Sequence, residues 1–291
     1  MRAVCALLAA VTIVAHAGAV AVHDDRGKII ALAAPAQRIV TLAPSLTELV
    51  FAAGAGDRLV GVARFSDYPP AANRIPLIGD SSRIDLERVS SLAPDLIVGW
   101  KSGNQIADIE RLEQLGFKVY VAEPDTLSAI PQTLRALGAL AGTSTAAQRA
   151  ASSFERDIAT LRTQYGGHRT VAVFYEIWHT PLMTINGRHI ISDIIRLCGG
   201  RNVFADAPTL APTVSLESVI AARPEIIIGG GSAATPQSFA AQWRRHADFA
   251  ELAQLPTLYV PPDLIQRQTP RILDGAHLIC EGLERARADV R

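Results

Sequence analysis

Hydrophobic and polar positions along this chain follow two alternating patterns. Short apolar runs stand at residues 38–43 (RIVTLA), 59–63, 95–100 and 118–122, each the length of a buried strand. Between them, apolar residues recur at helical spacing over 46–53, 86–92, 106–115 and 127–141. The second half repeats the arrangement. Strand-like runs fall at 170–176 (TVAVFYE), 225–229 (EIIIG) and 257–260, and helical patterns at 190–197, 216–222, 239–246 and 270–286. Strands separated by helices of this length predict βαβ units and mainly parallel sheets, an α/β fold.

The halves also share a local sequence. Residues 84–99 read IDLERVSSLAPDLIVG and residues 214–229 read VSLESVIAARPEIIIG. Leu86, Glu87, Val89, Pro94 and Gly99 recur as Leu216, Glu217, Val219, Pro224 and Gly229. Asp85 and Ser215 can cap a short helix, and the prolines forbid its continuation. An acidic residue then opens an apolar strand that glycine closes. Matching order in matching context predicts a duplicated half-fold. Residues 144–165 between the halves carry an apolar stripe of Ala147, Ala150, Ala151, Phe154, Ile158 and Leu161, with Ser144 or Thr145 as candidate cap. The expectation is two lobes, at 36–142 and 168–291, joined by one stiff helix within 143–167, with a ligand cleft between them.

The first residues belong to another pattern. Met1-Arg2, an apolar run over 3–15 and three overlapping A-x-A sites up to Ala21 have the layout of a secretory signal peptide, assigned to 1–21. That run is too short to span a bilayer, which takes about 20 residues. Cys5 precedes most of the apolar run, which argues against lipoprotein attachment. Export makes Cys198 and Cys280 candidates for a disulfide, with two buried free thiols as the alternative.

Charge is uninformative in sum. Lys plus Arg and Asp plus Glu both total 28, so no basic surplus points to nucleic acid. Phosphate-loop, nucleophile-elbow, H-E-x-x-H and C-x-x-C motifs are absent. Gly229-Gly230-Gly231 follows a strand, but no helix start follows it. His179, His189 and Asp263 are the residues a metal-dependent hydrolase would use, and Asp67 could meet Asp263 across a cleft. Better candidates are the loops after strands: 66–70 (SDYPP), 100–104 (WKSGN) and 178–183 (WHTPLM). Loops leaving the carboxyl ends of parallel strands are where open α/β sheets bind ligands. Phe65, Tyr68, Trp100, Tyr175 and Trp178 gather there, which suits a large planar ligand or, alternatively, packing of the lobes on each other.

RIVTLAPSLTELVFAAG, SDYPP, IDLERVSSLAPDLIVGW, LCGGRNVF, VSLESV and DLIQRQTPRI together resemble the periplasmic receptors with a rigid helical backbone that serve ABC importers for cobalamin, haem and iron-siderophores. The likeness runs over essentially the whole chain after residue 21 and leans toward the cobalamin branch. It implies a non-enzymatic, periplasmic, soluble and monomeric receptor that captures a corrinoid as cargo, holds no cofactor or metal of its own and passes the cargo to a membrane permease. Haem or an iron-siderophore is the alternative ligand. The resemblance assigns Tyr68, Trp100 and the segment Asp263, Leu264, Ile265, Gln266 and Arg267 to ligand contact. It assigns Glu87 and Glu217 to permease docking and joins Cys198 to Cys280. Ser81, Met183 and Ala211 stand where that branch has further aromatics, and Trp178 is an added aromatic that can replace one of them.

Overall fold

The computed structural model describes residues 18–231, 233, 235–245 and 249–289; the greater part of the expected signal peptide, residues 1–17, lies outside the described residues. Two four-stranded sheets organise the chain. In the first lobe β3 (Ile39–Thr41), β4 (Leu59–Val62), β5 (Leu96–Trp100) and β6 (Val119–Ala122) run parallel in the order β4-β3-β5-β6. In the second, β7 (Val171–Glu176), β8 (Gly200–Asn202), β9 (Ile226–Gly229) and β10 (Thr257–Tyr259) run parallel in the order β10-β9-β7-β8. Read from opposite edges, the two orders are the same topology, so the duplication seen in sequence is a duplication of fold.

The repeat holds to the level of single backbone groups. Asp85 caps α2 (Leu86–Ser91) by accepting from the Arg88 N–H, and Ser215 caps α7 (Leu216–Ala221) in a reciprocal pair with Ser218. Ala93 and Arg223 both adopt positive φ, 43° and 50°, just before Pro94 and Pro224. That left-handed step costs about 1 kcal/mol or more for a non-glycine residue and is held by the fold around it. Asp95 then accepts from the backbone N–H groups of Gln37 and Arg38, and Glu225 from that of Ala172. The acidic residue opening each repeated strand thus ties off the start of the neighbouring one.

The lobes are joined by α5 (Ser144–Tyr165), a 22-residue helix. It buries Ala147, Ala151, Phe154, Ile158, Leu161 and Tyr165 against both lobes. Neither Ser144 nor Thr145 caps it: Thr143 holds the cap position and donates its hydroxyl to the Ala53 carbonyl instead. α4 (Ala129–Ala141) packs beside it so tightly that a Cβ at Gly138 would fall 2.2 Å from that of Ala147. One apolar cluster runs from Leu46 and Leu49 in the first lobe, through Phe154, to Val171, Ile194 and Ile279 in the second. Two smaller clusters cover the outer faces, one around Val40, Ile97 and Val121, the other around Phe174, Phe239 and Trp243. A shared core and a helical bridge resist the bending that hinge closure requires.

Sequence patterning did not anticipate the antiparallel hairpin of β1 (Val20–His23) and β2 (Ile29–Leu32), which packs on the first lobe. Its first strand starts within the segment assigned to the signal peptide. Cys198 and Cys280 are bonded, with Cα atoms 4.6 Å apart, and tie the end of α6 (Ile190–Leu197) to α11 (Ile272–Asp289).

Candidate functional site

The carboxyl edges of the two sheets face each other, as one side chain demonstrates. Arg267, beyond β10 of the second lobe, reaches three groups of the first: Glu48 Oε1 at 2.9 Å, Asp67 Oδ1 at 2.9 Å and the Phe65 carbonyl at 3.3 Å. It also pairs with Asp263 at 2.9 Å. Burial pulls the guanidinium pKa down, but the carboxylates around it hold its charge and raise the net value. Asp67 and Asp263 do meet across the cleft, as the sequence allowed, with an arginine between them.

Glu48 is the centre of this seam. It lies on α1 (Pro44–Ala52), 3% exposed, and accepts from Arg267, from Arg271 at 3.1 Å and from the Thr269 hydroxyl at 2.9 Å. The Arg271 guanidinium in turn lies 3.9 Å over the Tyr68 ring. A groove of about 320 Å3 opens here, lined by Glu48, Phe51, Ala52 and Tyr68 from one lobe and Pro270 and Arg271 from the other. A larger hollow, about 510 Å3, runs along α5 between Ser128, Arg162 and Asp193. The groove at the strand ends is the better candidate, because polar and aromatic groups of both lobes converge on it.

The aromatics divide. Tyr68 and Trp178 are exposed, at 44% and 48%. The Trp100 ring is half-buried, packed so close over Gly103 that a Cβ there would lie 1.7 Å from it, and its indole N–H points at Glu123. Tyr175 is not a cleft residue: it is fully buried in the shared core, its phenol raised by desolvation, with the Gln266 side chain bonded to it. In the segment 263–267 only Asp263 is well exposed. Ile265 belongs wholly to the core, and the α10 turn (Pro262–Ile265) points it inward. Leu264, Gln266 and Arg267 are partly covered.

The Trp178 loop is a small hairpin. Met183 and Trp178 bridge each other, Met183 bridges on to Thr213, and the Trp178 indole donates to the Thr180 carbonyl at 2.9 Å. Met183 is half-buried within this ribbon, and Ala211 lies close by in sequence to its strand partner. Ser81 contributes its carbonyl to Asn104. Glu87 and Glu217 are exposed, each in the first turn of its short helix, one per lobe.

The hydrolase residues do not assemble. His189 caps α6 through Nδ1, and burial lowers its pKa to about 4. His179 turns inward to Glu176, and Asp263 is held by Arg267. Among the described residues no group of three or more His, Cys, Asp or Glu side chains converges as a metal site. No described helix is long and apolar enough to cross a membrane.

Sequence reasoning missed Glu48, Thr269 and Arg271. The only hints were their places in TLAPSLTE and QRQTPRI, segments some 220 residues apart in sequence.

Residues 39–258 match the family described as periplasmic binding protein. The vitamin B12-binding protein of Vibrio cholerae serotype O1 is 35% identical over 250 residues, spanning 86% of this chain and 90% of that relative. The crystal structure of the periplasmic vitamin B12-binding protein BtuF of Vibrio cholerae superposes with a TM-score of 0.78, covering 87% of this chain and 98% of that one. The periplasmic haem-binding protein RhuT of Roseiflexus sp. RS-1, 24% identical, superposes with a TM-score of 0.74 and shares the fold. By its match over most of its length and by its two-lobed fold, the chain belongs to the periplasmic binding protein family.

Proposed function

We propose that this chain is an exported receptor that captures cobalamin, or a related corrinoid, between its lobes and delivers it to the permease of an ABC importer. The observation that carries this reading is the meeting of the two carboxyl edges. There, exposed Tyr68 and Trp178 and half-buried Trp100 flank a seam of paired charges. Flat amphipathic rings around a polar floor fit a large planar macrocycle with polar arms. A relative 35% identical over most of both chains bears the name vitamin B12-binding protein, which favours the corrinoid over haem.

In this reading residues 1–21 direct export and are removed, and the remainder works in the periplasm as a soluble monomer. Tyr68, Trp100, Trp178, Met183 and Asp263 contact the ligand. Leu264, Gln266 and Arg267 support it from beneath, since Arg267 is already engaged by three carboxylates. Glu87 and Glu217 dock on a permease whose two-fold symmetry matches their equivalent positions. No chemistry is done on the ligand, and the protein is a receptor rather than an enzyme.

Titration of the purified mature protein with cyanocobalamin, haemin and a ferric siderophore, followed by heat and tryptophan fluorescence, tests this. Cobalamin should bind with sub-micromolar affinity, about −8 kcal/mol or better. Tyr68→Ala and Trp100→Ala should each weaken it by about 1–3 kcal/mol. Tight haem or siderophore binding beside undetectable cobalamin binding would reassign the ligand.

A further inference from the structure

The hairpin of β1 and β2 is the part of the first lobe that the receptor reading leaves without a task. Its turn lies along β6, the outer strand of the first sheet. There the Asp25 N–H donates to the Val121 carbonyl at 3.0 Å and the Arg26 guanidinium to the Val119 carbonyl at 3.1 Å. Asp24, 4% exposed, accepts from the Val121 N–H at 3.4 Å. Proteins cover free strand edges in this way, so edge protection accounts for these bonds. Two others reach past the end of the strand. The Asp25 carboxylate accepts from the Glu123 N–H, and the Asp25 carbonyl accepts from the Lys101 ammonium at 2.8 Å.

Glu123 and Lys101 belong to the two loops that frame Trp100. Through Oε2, Glu123 accepts from the Ser102 N–H at 2.8 Å. Through Oε1 it accepts from the Ser102 hydroxyl at 3.0 Å and from the Trp100 indole N–H at 3.4 Å. The loop also closes on itself, since the Asn104 side chain accepts from the Trp100 backbone N–H at 2.7 Å. The ring lies over Gly103, where no Cβ would fit, and part of it stays uncovered.

We propose that Glu123 and Asp25 are positioning residues for Trp100. Asp25, from the hairpin, sets the Glu123 backbone, and the Glu123 carboxylate sets the orientation of the ring. The proposal rests on Trp100 taking part in binding. The indole N–H is the one polar group of that side chain, so it is the group through which a hydrogen bond can select one rotamer. Among the described residues its partner is Glu123. A ring already held in one orientation loses little freedom when a ligand stacks on it, whereas ordering a free ring costs about two- to tenfold in affinity.

Glu123→Gln separates this role from a merely structural one. The amide can keep both Ser102 contacts, because the serine hydroxyl is able to turn and accept, but it then meets the indole N–H with a second donor. Fluorine NMR of the ligand-free protein, labelled with 5-fluorotryptophan at Trp100, Trp178 and Trp243, reads the ring directly. Glu123→Gln should displace or broaden the Trp100 resonance and leave those of Trp178 and Trp243 where they are. Asp25→Ala should move the same resonance by less. A Trp100 resonance unmoved in Glu123→Gln overturns the proposal, and one unmoved in Asp25→Ala overturns the hairpin's share of it. Cyanocobalamin affinity should fall about two- to tenfold in Glu123→Gln, and the same change made beside Trp100→Ala should cost nothing further. Unchanged affinity overturns the proposal. So does an equal fall in both backgrounds, since Glu123 would then act other than through the ring. If cyanocobalamin does not bind the parent protein, the receptor reading fails, and the fluorine spectra still decide whether Glu123 and Asp25 hold the ring.

Discussion

Replacing Glu48 by glutamine removes one charge from the seam between the lobes while leaving its volume almost unchanged. Glu48 is 3% exposed; its Oε1 accepts from Arg267 and Arg271 and its Oε2 from Thr269. A charge-assisted hydrogen bond contributes about 1.5–3 kcal/mol and a neutral one about 0.5–1.5 kcal/mol, so weakening two of them costs about 2 kcal/mol. An uncompensated buried charge adds to that, up to about 3–5 kcal/mol in total when nothing else serves it. Arg267 keeps Asp67 and Asp263, whereas Arg271 keeps the Tyr68 face. Glu48→Gln should therefore lose about 2–3 kcal/mol, below the full penalty for a lone buried charge. Urea unfolding at neutral pH and physiological salt measures it, with an unchanged slope showing that stability and not compactness has moved. Combined with Arg271→Met, the two changes should couple by about 1 kcal/mol or more, since they share one contact. A loss under about 0.5 kcal/mol, the range of a surface pair, would refute the reasoning, as would strict additivity.

The Cys198–Cys280 bridge spans 82 residues, so Cys198→Ala with Cys280→Ala should lower stability by up to about 4.5 kcal/mol in the chain-entropy account, read by urea unfolding. An unchanged midpoint would refute it. His189 has its pKa lowered from 6.5 to about 4, so the folded protein binds the proton less readily than the unfolded chain. The stability this gives is present above pH 6.5 and lost as pH falls toward 4, by roughly 2–3 kcal/mol, and His189→Asn should flatten that part of the profile. Reversing both Glu87 and Glu217 to lysine should abolish uptake in cells while leaving ligand affinity unchanged; normal uptake would end the docking assignment. Both side chains are exposed, and neither takes part in an ion pair among the described residues.

Much of the architecture was written locally. Strand and helix periods, the caps at Asp85 and Ser215, and the prolines after α2 and α7 depend on neighbours within a few residues, so the sequence alone determined two α/β lobes and the helix between them. The same locality explains the misses. β8 reads Gly-Arg-Asn, with no apolar signal, and is a strand because it pairs with the free edge of β7. α8 (Pro236–Arg244) starts at Pro236 because Thr235 and Ser238 cap it reciprocally, a pairing that uses serine where the familiar box has an acid or amide. The β1–β2 hairpin alternates too weakly to be read before its packing surface is known.

The site was legible only in part. Loops after parallel strands had to lie at one edge, which placed Tyr68, Trp100 and Trp178 correctly at strand ends. What they face, and which of their neighbours turn inward, was settled by tertiary packing. Ile265 and Tyr175 carry the same local signal as their exposed neighbours, yet the shared core takes both. Glu48 looks like the polar position of an ordinary helix, and Arg271 like a charge before another. Their contact closes a loop of more than 220 residues, and no local propensity encodes a contact of that span. Only when α5 and the common core fix the two sheets edge to edge do these charges come within reach.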